Sequence, residues 1–143
     1  MQMHQQNTHY AVMFFIMLIA GLLSTMNVWV DKMDDIRFSL NDLYMILLMT
    51  GWMFLFMGLF DGNLFITMLG LLLVVVNLWC IRTQFGISEK QYLTGMIPHH
   101  SMAVLMSKRL LEKEYSEIRP FLDNLIKTQE NEIIYMKSNS LLK

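Results

Sequence analysis

The residues richest in chemical capacity lie in the last third of the chain. Met96, His99, His100, Met102 and Met106 bring two imidazoles and three thioethers within about three helical turns, and Met96 reaches both histidines by the three- and four-residue spacings that bring helical side chains together. Further on, Gln129, Glu132 and Met136 add an amide, a carboxylate and a thioether at the same kind of spacing. Thioether and imidazole suit Cu(I), and less selectively Cu(II) or zinc. A lone histidine on an amphipathic helix is more often a solvated polar residue, and adjacent histidines point about 100° apart, so a metal reading requires a second helix to bring Gln129, Glu132 and Met136 to the same layer.

Two helices are available to do so. Ser88-Glu89-Lys90-Gln91 has the form of a capping box and opens a helix of about seven turns toward Glu114. Ser116 caps the next, Pro120 falls near its first turn, and no further Gly or Pro interrupts it before roughly Ser138. Alternating four- and three-residue steps trace a seam of Leu93, Met96, His100, Ala103, Ser107 and Leu110 on the first helix, and of Ile118, Leu122, Leu125, Gln129, Glu132 and Met136 on the second. Folded antiparallel about Glu114, these seams predict His100 opposite Gln129 and Met96 opposite Glu132, with Met136 one layer beyond. Burying an imidazole, an amide and a carboxylate together is costly unless they satisfy one another or hold an ion. Pro98 removes the bond to the Thr94 carbonyl, which predicts a kink or loosened turn just before the histidines.

The segments M-I-P-H-H-S-M-A-V-L-M, from Met96 to Met106, and I-K-T-Q-E-N-E-I-I-Y-M, from Ile126 to Met136, resemble the domain of unknown function 305 family, which pairs an M-x-x-H-H motif on one helix with Q-x-x-E-I-x-x-M on the next. The resemblance covers about the last 55 residues, and a three-span membrane segment ahead of the hairpin is similar to an architecture within that family. It implies a ferritin-like helical fold and, for some members, copper bound through Met and His. Carried over by residue, it points to Met96, His99, His100, Met106, Gln129, Glu132 and Met136 as metal ligands, and it implies an extracytoplasmic hairpin.

The rest of the chain reads as a membrane anchor. Crossing ~30 Å of hydrocarbon takes about 20 apolar helical residues, and stretches at 10–30, 43–60 and 64–81 come near that length. The flank before the first has no Lys or Arg and its apolar run is long, which argues against a cleavable signal peptide. Asp61-Gly62-Asn63 is a tight turn signal. The expected fold is therefore all-α: a three-helix transmembrane region over 1–87, then an extramembrane antiparallel helical hairpin over 88–143.

Three spans place the 31–42 loop on the side of the hairpin, and that side carries Lys32, Arg37, Arg82 and Lys90 against no Lys or Arg on the other. The positive-inside rule thus points to a cytoplasmic hairpin, against the family's implication. Trp29, Trp79 and Tyr44 suit an interfacial belt, and Asn27 and Asn77 match in depth, so that their amides could bond to each other. Met45, Met49, Met53 and Met57 form one ridge, more often a packing device than a copper path. Cys80, the only cysteine, cannot form an intrachain disulfide and reads as a small buried hydrophobe.

With 55% apolar residues and a net charge of −1, the chain lacks the basic face that tracks a phosphate backbone, so nucleic acid is not an expected partner. There is no Gly-rich phosphate loop, G-x-S-x-G elbow or Cys-x-x-Cys pair, and the Glu-x-x-His pairs of di-iron bundles are missing, so nothing favours an enzyme. The expected partners are the lipid bilayer and a copper ion, for storage, buffering or delivery. The competing expectation is a structural membrane protein whose hairpin forms a homo-oligomer, because 56 residues bury little core alone.

Overall fold

The computed structural model describes residues 2–113 and 117–142, with side chains from Thr8 onward. Glu114 and Ser116, the expected turn and second cap, lie outside the described residues. Among those described the chain is all-α, with helices α1 (Gln2–Leu23), α2 (Leu40–Phe60), α3 (Leu64–Thr83), α4 (Glu89–Leu111) and α5 (Arg119–Ser138), three short 3-10 turns and no strand. The packing divides into two units: one holds the chain up to Thr25 together with Asn41–Gly86, the other Met26–Leu40 together with Ile87–Lys143.

The first unit contains α1, α2 and α3. Thr8–Trp29, Leu40–Phe60 and Leu64–Thr83 are long and apolar enough to cross a membrane, and most of their side chains face outward. Helices α2 and α3 meet through small residues: a Cβ at Gly58 would strike the backbone of Thr67, and one at Gly70 the backbone of Leu55. Such close approach is how helices gain packing contacts where no hydrophobic force drives them together. Polar groups inside the spans satisfy themselves locally, as hydrocarbon requires. Thr50 Oγ1 donates to the Ile46 carbonyl at 2.9 Å, and Asn77 Nδ2 to the Leu73 carbonyl at 2.8 Å. The turn at Asp61-Gly62-Asn63 forms as expected: Gly62 takes φ 65°, and the Asn63 side chain caps α3 by accepting from Ile66 N. The methionine ridge of α2 divides, with Met45 and Met49 exposed while Met53 and Met57 pack around Tyr10, Phe54 and Ile66.

Asn27 and Asn77 each bond to backbone, Asn77 within its own helix. Helix α1 stops at Leu23, and Asn27 sits on the 3-10 turn Met26–Trp29. There its amide closes the connecting segment on itself, donating to the Arg37 carbonyl at 2.7 Å and accepting from Arg37 N at 2.9 Å. A backbone N–H and C=O that would otherwise be orphaned in a loop are thereby satisfied.

The second unit is the α4–α5 hairpin with residues 26–40 folded onto it. Ser88 caps α4 by accepting from Gln91 N at 3.3 Å. Only half of the expected capping box appears, because the Gln91 side chain accepts from Leu40 N at 2.8 Å and so ties the segment to the helix. Helix α4 runs through Pro98 without interruption, and Pro120 occupies the first turn of α5. The core is Ile97, Val104, Ile133 and Met136, with Leu93, Met96 and Ile126 packed around it. Each such burial contributes roughly 1.5–3 kcal/mol. Gly95 lets the segment come close: a Cβ there would lie 3.0 Å from Ser39 Oγ.

This core shifts the expected seam by one residue. Ile97 replaces Met96, Val104 replaces Ala103, and Ile133 replaces Glu132 at the centre. The cause is a second packing partner: α4 buries one flank against α5 and another, Ser101 and Ser107 included, so its buried stripe is wider than a two-helix seam. Of the expected seam, Ser107, Leu122 and Met136 are buried as expected, whereas His100 and Glu132 lie toward the edge of the interface.

Candidate functional site

Two polar arrays flank this core. Where residues 26–40 meet the hairpin, Asp35 is 2% exposed. Its Oδ2 accepts from Ser101 Oγ at 2.5 Å, and its Oδ1 lies 2.6 Å from Lys137 Nζ, an ion pair too oblique for a directed hydrogen bond. Lys137 also pairs with Asp34, and Lys108 bridges Asp31 at 2.8 Å and Glu130 at 2.9 Å. Burial pulls the Lys137 pKa down, but its polar contacts with the Asp34 and Asp35 carboxylates outweigh this and leave it raised. Lys108 is raised first by its hydrogen bond to Asp31, then by that to Glu130. Asp34 is lowered, chiefly by its hydrogen bond to Lys137. A cavity of about 130 Å³ lies among Asp31, Asp35, Ser101, Glu130 and Lys137. Sequence reasoning missed this latch, although the run Asp31, Asp34, Asp35 was its available signal.

The other array is the edge where the expected metal residues fall. His100 Nδ1 lies 2.9 Å from Glu132 Oε2, yet the approach is misaligned, so the nitrogen is shielded from water without a directed hydrogen bond. Burial lowers the His100 pKa, and this outweighs the attraction of Glu132, so the ring is held neutral. Gln129 Nε2 donates to the same Glu132 oxygen at 3.3 Å. His100 therefore meets Glu132 rather than the expected Gln129, which follows from the one-residue shift of the seam. Met96 stands one turn before His100 and packs against the cluster that contains Met136, itself one turn after Glu132. Of the seven expected residues, His100, Glu132 and Gln129 are brought together at one edge, while Met136 is buried in the core and Met96 packs against that core.

His99 and Met106 do not join this group. His99 is exposed, with its ring centroid 5.8 Å from that of His100. Met106 is 52% exposed and, six residues on, points about 120° away from His100 around the helix. Among the described residues no three His, Cys, Asp or Glu side chains converge to hold a metal ion. The edge offers an enclosed imidazole beside a carboxylate, next to a core that holds the Met96 and Met136 side chains.

A family model described as a domain of unknown function (DUF305) matches residues 82–139, a range that contains both arrays' helical residues and all seven expected ligands. The chain belongs to that family. Similarity extends into the membrane region as well, because the chain is 41% identical over 141 residues to Uncharacterized protein L153 of Acanthamoeba polyphaga mimivirus, covering 92% of this chain and 91% of the relative. No solved structure matches.

Proposed function

We propose that this chain is a multi-pass membrane protein whose hairpin binds Cu(I) at the edge formed by Met96, His100, Glu132 and Met136, as a store, buffer or donor of the ion. The observation that carries this reading is His100, whose imidazole is neutral, enclosed and without a directed hydrogen bond at Nδ1. Glu132 beside Nδ1 leaves Nε2 as the donor, and a small realignment on metal loading would make the ring N–H to carboxylate bond that supports histidine ligands generally. Thioethers one turn from His100 and from Glu132 make the set selective for a soft ion over zinc. His99 supplies a second imidazole at the lip.

The test is a competition titration of the purified, detergent-solubilised full chain against a chromophoric Cu(I) chelator, with elemental analysis alongside. Wild type withdraws copper from the chelator, and a His99→Ala/His100→Ala variant does so at least about tenfold more weakly. Wild-type protein that carries no copper above background and leaves the chelator loaded would remove the proposal.

The second reading is self-assembly through the hairpin without metal. Tyr92, Met106, Phe121, Ile134 and Tyr135 are each more than half exposed, which favours burial against another copy. Crosslinked oligomers that are unchanged in the double-histidine variant, together with no copper binding, are the outcome this reading requires.

A further inference from the structure

In the membrane-spanning unit the packing of the three helices leaves a groove of about 320 Å³ lined by Tyr10, Ala11, Phe14, Phe54, Leu69 and Leu73 among others. Its surface is wholly apolar. Tyr10, the residue there with a polar atom, is 3% exposed, and its hydroxyl donates to Asp61 Oδ2 at 2.7 Å, which takes the oxygen out of the groove and sets a carboxylate beside one end of it. Before Lys32, and again between Arg37 and Arg82, the sequence contains no Lys or Arg. His9, its ring 6.0 Å from Tyr10, is the neighbouring titratable side chain.

We propose that this groove holds one acyl chain of a phospholipid whose ammonium headgroup, of phosphatidylethanolamine chemistry, is drawn to Asp61. The inference rests on α1–α3 being membrane spans and is independent of copper. Hydrocarbon is the medium around these helices, and an unfilled apolar crevice forfeits dispersion contacts that a slender methylene chain restores. A second helix, about 10 Å across with its side chains, docks on a face and does not enter a crevice of this volume. Headgroup choice follows from charge: a carboxylate with no lysine or arginine nearby in sequence attracts an ammonium and repels an anionic headgroup.

The experiment uses the full chain in nanodiscs of mixed phosphatidylethanolamine and phosphatidylglycerol, each supplied in turn with a photoreactive diazirine on its acyl chain, followed by peptide mapping. Labelling at Tyr10, Ala11, Phe14, Ile66, Leu69 and Leu73 is expected to exceed that at the outward residues Phe56, Leu72 and Val75, with the ethanolamine lipid favoured about fivefold. Ala11→Phe, which fills the groove from an exposed position, should remove the excess labelling. Asp61→Asn should keep it but erase the headgroup preference. Even labelling around the spans, or capture of a second copy at the groove residues, overturns the groove site while leaving the membrane reading intact. No lipid label anywhere on α1–α3 overturns both.

Discussion

The two flanks of the hairpin use polar residues in opposite ways, although they interleave in sequence. On the flank covered by residues 26–40, Ser101 and Lys137 meet the buried Asp35 and Lys108 meets Asp31, so charge stands against charge. One residue before Ser101, His100 belongs to the other flank, where a single exposed carboxylate, that of Glu132, faces its enclosed imidazole. The first arrangement sets its charges in ion pairs that hold the segment to the hairpin. The second leaves His100 Nδ1 enclosed without a directed hydrogen bond. Stability and chemistry can thus be assigned to adjacent positions because a helix turns them 100° apart.

The largest expected effect is on the cohesive flank. Lys137→Met removes the ammonium from Asp35, which is 2% exposed, and leaves its carboxylate buried with Ser101. Stranding a buried charge costs about 3 kcal/mol. Amide hydrogen exchange over residues 89–138 of the full chain should accelerate by a corresponding factor, while copper bound per folded chain is unchanged. Copper loss without faster exchange would dissolve the distinction between the flanks. Next in size, His100→Ala should weaken Cu(I) binding at least about tenfold, near 1.4 kcal/mol, in the chelator competition. Its effect on exchange should stay below about 1 kcal/mol, because the imidazole makes no directed hydrogen bond at Nδ1 to lose.

What could be read from the sequence follows the same division. The spans, the Asp61-Gly62-Asn63 turn, the Ser88 cap and Pro120 were legible because each is a local rule acting on neighbouring residues. The docking of residues 26–40 was not. That segment has no periodicity, and its carboxylates find lysines whose positions only the tertiary fold brings near: Asp31 and Lys108 lie 77 residues apart. Missing this partner also displaced the seam, because a helix packed on one side and a helix packed on two have stripes of different width. Met96 and His100, and likewise Glu132 and Met136, keep their i to i+4 relation on their own helices when a stripe rotates by one residue, whereas Met106 lies on another face of α4.

Acidity separates the flanks with a smaller effect. Asp34 has a lowered pKa and Lys108 and Lys137 raised ones. The lysine contributions are complete below about pH 10.4 and are lost as pH rises through the folded-state values; that of Asp34 is complete above about pH 4 and is lost as pH falls through its folded-state value. Between pH 5 and 8 the latch is therefore indifferent. His100, whose pKa is lowered by burial, binds protons more readily unfolded, so its share of stability is present above about pH 6.5 and declines on acidification. Exchange rates measured from pH 7.5 to 5.5, corrected for intrinsic chemistry, should show a modest loosening in wild type that His100→Gln abolishes and that Lys137→Met retains.

The smallest expected effect is the sharpest on geometry. The family resemblance led to the expectation of Met106 as a ligand, but it is 52% exposed and turned about 120° from His100. Met106→Leu conserves volume at an exposed site, so stability should change by no more than about 0.5 kcal/mol. Copper affinity should stay within about twofold, against the tenfold loss for His100→Ala. If Met106→Leu instead weakens binding as much as His100→Ala in dilute, monomeric protein, the ion sits on the exposed face and not at the His100 edge. If the loss appears only at concentrations where the chain self-associates, Met106 reaches copper from a second copy. A dilution series on this one variant therefore distinguishes an edge within one hairpin from a site shared between two.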